Sequence, residues 1–237
     1  MIALLLCGLT ALASAGTDDM ASVMQMNDRE PIGKIQVDEL EWRDTSDGGA
    51  LVWEGYGSYG GDYDKLFVRS EGERVGGDTR NARVELFWDR IITRWWDLQA
   101  GAREDLGGGP SRTWAAIGLM GIAPYGFDTE LTLYAGDAGR VAARLRTAAD
   151  LLVTQRLILQ PQIESNLYGQ PDRARRVGAG VADVDIGVRL RYEVRRELAP
   201  YLGIVWTQWS AETARLLHPL TARRGEAQFV AGLRLWF

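Results

Sequence analysis

From Lys34 to Phe237 apolar and polar residues alternate one by one, in segments of about ten residues separated by turn clusters. The last segment is the clearest. Ala227, Phe229, Ala231, Leu233, Leu235 and Phe237 share one face, and Gln228, Val230, Gly232, Arg234 and Trp236 share the other. Val184, Ile186, Val188, Leu190 and Tyr192 oppose Asp183, Asp185, Gly187, Arg189, Arg191 and Glu193 in the same way. Ala82, Val84, Leu86 and Trp88 oppose Arg83, Glu85, Phe87 and Asp89, and Val141, Ala143 and Leu145 oppose Arg140, Arg144 and Arg146. Side chains on a strand point to opposite faces in turn, so each segment reads as a strand with one apolar and one charged side. The strands predicted are 34–44, 49–60, 62–75, 80–93, 95–105, 111–123, 125–136, 139–153, 155–168, 178–193, 197–209 and 226–237. That makes twelve, an even number as in bacterial single-chain barrels. Helical periodicity is nearly absent. Gly60-Gly61, Trp95 and Gly136-Asp137 read as tight turns of the periplasmic kind, and 169–177 and 210–225 as longer, Arg-rich extracellular loops.

A soluble sandwich alternates as well, so period alone does not separate it from a barrel. Composition tilts the choice. No run of apolar residues is long enough for a transmembrane helix. A barrel exposes only alternate residues to lipid, which suits a mean hydropathy of −0.17. Nine Trp and 28 Gly suit interfacial belts and tight turns. The expected fold is all-β: a transmembrane antiparallel up-and-down β-barrel of about twelve strands, over 34–237, in the outer membrane of a Gram-negative cell. A net charge of −5 argues against nucleic acid as a partner.

Residues 1–15 read as a cleaved signal peptide: an apolar run from Ile2 to Ala13, then Ala13-Ser14-Ala15 as the cleavage site. No Lys or Arg precedes the run. Lipoprotein anchoring at Cys7, the single cysteine, would need a lipobox, which Leu4-Leu5-Leu6 does not resemble. Residues 16–33 are polar and aperiodic and read as a flexible periplasmic arm carrying Met20, Met24 and Met26.

All but Lys34 and Lys65 of the 27 basic residues are Arg. Arg keeps its charge when buried and pairs with carboxylates through a planar fork. The inward faces are expected to carry Arg69, Glu71, Glu73, Arg83, Glu85, Arg103, Glu130, Arg144, Arg146, Glu164, Arg189, Arg191, Glu193 and Arg234. Two interpretations of this set stand: a mutually neutralising network that fills a narrow barrel, or charge rings that make the barrel a selective solute channel. The alternating C-terminal strand, with Phe229, Leu233, Leu235 and the terminal Phe237, fits a signal for the outer-membrane assembly machinery.

Several stretches, in order, resemble the copper resistance protein B family of outer-membrane proteins. They include Val37-Asp38-Glu39-Leu40-Glu41-Trp42-Arg43, Gly60-Gly61-Asp62-Tyr63-Asp64-Lys65-Leu66, Ser70-Glu71-Gly72-Glu73-Arg74 and Trp96-Asp97-Leu98-Gln99-Ala100-Gly101. They continue through Gly109-Pro110-Ser111-Arg112-Thr113-Trp114, Asp150-Leu151-Leu152-Val153-Thr154-Gln155-Arg156-Leu157 and Leu190-Arg191-Tyr192-Glu193-Val194-Arg195-Arg196-Glu197 to the final strand. The resemblance implies a barrel embedded in outer-membrane lipid. It also implies copper binding and a role in limiting or exporting periplasmic copper, alongside a periplasmic multicopper oxidase or copper chaperone. Family members often carry a long N-terminal segment rich in Met and His. This chain departs from that, with only the three methionines.

Thioether sulfur is a soft ligand that selects Cu(I), so Met20, Met24 and Met26 are the candidate metal ligands. Asp18, Asp19 and Asp28 flank them. Cu(II) favours imidazole, and the single histidine, His218, cannot form a cage alone. Enzyme motifs are missing: no histidine lies on a strand near a serine, and no glycine-rich phosphate loop precedes a helix. A copper-handling barrel and an Arg-lined channel without a copper role are the two functions that remain.

Overall fold

Alternating sequence becomes a barrel because each strand has one face for lipid and one that must be kept from it. The computed structural model describes residues 31–237. The predicted signal peptide and most of the predicted arm, including Met20, Met24 and Met26, lie outside the described residues. The strands run β1 Ile32–Thr45, β2 Gly48–Gly60, β3 Asp64–Val75, β4 Asp78–Ile91, β5 Trp96–Leu106, β6 Arg112–Ala123, β7 Phe127–Gly136, β8 Val141–Ala148, β9 Leu151–Leu152, β10 Leu157–Tyr168, β11 Gly180–Tyr192, β12 Leu198–Trp209 and β13 Gly225–Trp236. All neighbours are antiparallel, and β13 returns to pair with β1, so the sheet closes.

The stretches β8 and β9 are one stave. Ala148 faces Gln162 and Leu151 faces Leu159 in a single register along β10. The ladder lapses between them opposite Pro161, which has no N–H to give. The barrel therefore has twelve staves, as the alternation predicted.

The outer face is apolar and the inner face is not. On β12, Leu202 is 67% exposed while its neighbour Tyr201 is 5% exposed. Phe229, Ile204, Trp206 and Leu133 likewise stand outside, while Glu41, Glu85, Arg144 and Arg189 are buried. Inside, Phe67, Phe87, Trp114 and Tyr134 form an aromatic cluster between the charges.

Three sequence expectations need correction. The strand order puts the start of β1 and the end of β13, the terminal end of the barrel, together with the turns 61–63, 92–95, 124–126, 153–156 and 193–197. The turn after Gly136, at 137–140, lies at the other end with the long loops, because β7 runs in the same sense as β1. It is short but not at the terminal end. Second, the loop before β13 holds a helix, α1 Ala211–Leu217. Ser210 caps it, its side chain accepting from the Thr213 N–H at 3.2 Å. Thr213 and Ala214 turn inward, and the Gly178 N–H donates to Thr213 Oγ1 at 3.0 Å, tying the two long loops together. Third, β1 begins at Ile32, two residues ahead of the expected start, and carries a bulge near Asp38.

Candidate functional site

The inward charges meet across the lumen. Arg144 on β8, almost wholly buried, touches carboxylates from four other strands: Glu164 at 2.8 Å, Glu71 at 3.1 Å, Glu130 at 3.5 Å and Glu54 at 3.6 Å. Arg69 reaches Glu130 at 2.7 Å and Glu85 at 3.5 Å. Arg83 pairs with Glu71 and lies 3.4 Å from Glu164, and Arg146 lies 3.3 Å from Glu54 and 3.6 Å from Glu130. The Tyr134 hydroxyl donates to Glu85 at 2.6 Å. Guanidinium suits this place because its planar donors can serve carboxylates from several walls at once.

A second cluster lies beside the first. Arg189 on β11 contacts Glu39 at 2.9 Å and Glu41 at 3.1 Å, and Arg43 contacts Glu41 at 2.6 Å and Glu39 at 3.2 Å. Tyr201 donates to Glu41 at 3.0 Å. The Gln162 amide links the clusters, donating to Glu39 at 3.3 Å and accepting from Arg146 and Arg189, each at 3.4 Å. Nearer the long loops, Arg103 pairs with Asp105 at 2.6 Å and lies 4.6 Å from the centre of the Tyr134 ring. Near the termini, Arg191 holds Asp150 at 2.6 Å and Arg234 holds Asp38 at 3.0 Å.

Of the charges expected inside, Glu73 and Glu193 enter no ion pair among the described residues. Several partners were not expected. Glu39, Glu41 and Arg43 escaped because the bulge near Asp38 changes which residues face inward: Gln36 before it and Glu39 after it are both buried. Their alternation with Leu40 and Trp42 was the available signal. Glu54 escaped because Leu51-Val52-Trp53 is apolar on both faces.

On the closing strand, Phe229 and Leu233 face outward and Leu235 is half-buried. Phe237 exchanges two backbone hydrogen bonds with Ile35, at 2.8 and 3.0 Å, and so extends the seam. His218 follows α1 and sits edge-on to Trp209, with ring centres 5.3 Å apart. Among the described residues no cluster of three or more His, Cys, Asp or Glu side chains has a metal-holding arrangement.

Comparison with known proteins agrees with these features. Residues 31–237 match the family model of the copper resistance protein B precursor. A copper resistance protein B homolog of Pseudomonas syringae pv. tomato is 44% identical over 213 residues, which cover 90% of this chain and 72% of that protein. Copper resistance protein B of Escherichia coli is 41% identical over 203 residues, covering 86% of this chain and 69% of that one. Among solved structures, the KdgM porin superposes with a TM-score of 0.53 and the NanC porin with 0.55. Each is 11% identical and covers 86% of this chain and 99% of its own, a likeness of fold.

Proposed function

The chain belongs to the copper resistance protein B family, and from that membership we infer that it is a non-enzymatic outer-membrane protein that binds copper and helps limit or export periplasmic copper. The observation that carries this is the family match along the whole barrel, with relatives above 40% identity that bear the same name. Met20, Met24 and Met26 are the ligands proposed for copper, as Cu(I), since thioethers are soft donors. β1 begins at the end of the barrel that lacks the two long loops, the end that outer-membrane barrels turn toward the periplasm. The proposal places the methionines where a periplasmic multicopper oxidase or copper chaperone could exchange copper with them. A cleaved signal peptide over 1–15 and recognition of the last strand by the assembly machinery complete it.

The alternative, an Arg-lined solute channel, is disfavoured by the ion pairs of Arg144, which join opposite walls. The test has two arms. Cells lacking the protein should grow less well in copper than the parent. The refolded full chain should bind Cu(I) that a Met20→Leu, Met24→Leu, Met26→Leu variant fails to hold. Equal copper tolerance together with unchanged copper content would overturn the proposal, and large solute-dependent conductance in planar bilayers would favour the channel.

A further inference from the structure

The terminal end of the lumen differs in character from its middle. There the inward positions of β1, β11 and β13 and the 193–197 turn surround a cavity of about 270 Å³. Lys34, Arg191, Arg196 and Arg234 line it, against one lining carboxylate, Glu193. Two further carboxylates stand close by and are already engaged: Asp150 on Arg191 Nη2 and Asp38 on Arg234 Nε. They offset part of that positive charge, and Asp128 lies within electrostatic range of Arg234 and Asp150, but none of these three carboxylates lines the cavity itself. In the central cluster, by contrast, the carboxylates of Glu54, Glu71, Glu85, Glu130 and Glu164 outnumber the guanidinium groups of Arg69, Arg83, Arg144 and Arg146.

Arg191 is the buried cation of this mouth. It is 2% exposed, yet only Nη2 is bonded; its Nε and Nη1 are buried without a hydrogen-bond partner among the described residues. A guanidinium carries five N–H donors, and buried charged donors left unmatched are costly. The side chain lines a cavity together with Arg234, which is half-buried, and Lys34 and Arg196, which are exposed to solvent. A recess in which cationic groups gather against low-dielectric walls favours an anion.

We propose that this mouth is a binding site for a small oxyanion, a phosphate or carboxylate, held by Arg191 from within and by Lys34, Arg196 and Arg234 around it. Two sources offer that chemistry: a free anion from the compartment outside the mouth, or the phosphate of a lipid headgroup at the rim. Copper binding is not required for it.

The test is calorimetric titration of the refolded full chain with inorganic phosphate at low ionic strength. Saturable binding is expected, weakened about tenfold in Arg191→Gln, as loss of a charge-assisted hydrogen bond implies. If that variant does not refold, Lys34→Gln with Arg196→Gln keeps the test open, because both side chains are exposed. Repeating the titration in vesicles separates the sources. Phosphate binding retained in both phosphatidylcholine and phosphatidylglycerol vesicles identifies a free anion. Binding retained in micelles but lost in both kinds of vesicle identifies the headgroup, since both lipids carry a phosphodiester. Absence of saturable binding in micelles, or affinity unchanged by the substitutions, would overturn the proposal.

Discussion

Arg144 on β8 and Glu71 on β3 meet across the lumen at 3.1 Å, although they are far apart around the barrel wall. The same guanidinium also holds Glu164, from the next long strand on its own side. One side chain thus ties the two halves of the cylinder together. Buried charges of this kind do not stabilise a fold more than apolar packing would, but removing one partner strands the others.

Replacing Arg144 by Met should therefore destabilise the barrel severely. It would leave Glu54, Glu71, Glu130 and Glu164 with less countercharge in a confined space. The expected loss is about 3–5 kcal/mol, the range for breaking a buried ion pair. Urea unfolding of the refolded barrel measures it, and an unchanged midpoint would mean that the network contributes nothing.

The outward face makes a separate prediction. Leu133, at the middle of β7, points away from the lumen and is 52% exposed. In a bilayer, Leu133→Arg should cost about 2–4 kcal/mol, the range for a charge on the lipid face near the midplane. On a water-facing surface the same change would cost no more than about 0.5 kcal/mol. Folding titrations in lipid vesicles distinguish the two outcomes.

Removing Phe237 should impair assembly. Its two backbone hydrogen bonds to Ile35 lie at the seam between the last strand and the first. The expected result is less heat-modifiable, folded protein in the outer-membrane fraction. An equal amount would show that closure and recognition are complete at Trp236.

The 169–179 loop should respond to acid. Burial pushes the Asp172 carboxyl up, but the hydrogen bond from Arg112 Nε at 2.9 Å, helped by the Arg175 N–H and by Arg140, more than offsets it. The group is held below the ordinary carboxylate value. A carboxyl so depressed contributes stability above its unfolded pKa and loses it as pH falls through the folded one. Protection of the Asp172 and Val177 amides, which bond within the loop, should persist down to the ordinary carboxylate range and disappear only below it. Asp172→Asn should lose that protection at every pH. Hydrogen exchange read by mass spectrometry, corrected for intrinsic rates, provides the check.

The strand faces were legible in advance because alternation is local. A residue two positions along a strand returns to the same side whatever the strand pairs with, so Arg83, Glu85, Arg144, Arg189 and Arg191 could be placed inside from the sequence. Glu39, Glu41 and Arg43 could not be placed with the same ease, because a bulge is a property of two strands in register. The helix at Ala211–Leu217 was hidden for another reason. Its seven residues, about two turns, lack a repeating apolar stripe, and its stability comes from the Ser210 cap and from contacts to the neighbouring loop.

The sequence by itself determined the twelve staves, their greasy and charged sides, and the ordered segments by which the family is recognised. Only the tertiary structure decided which charges meet. Arg69 and Glu130 are 61 residues apart and bond at 2.7 Å, a pairing fixed by the closure and stagger of the whole sheet. The same closure brought Lys34, Arg191 and Arg234 to one mouth. Which way a side chain points depends on its own strand, whereas what it touches across a barrel depends on every strand between.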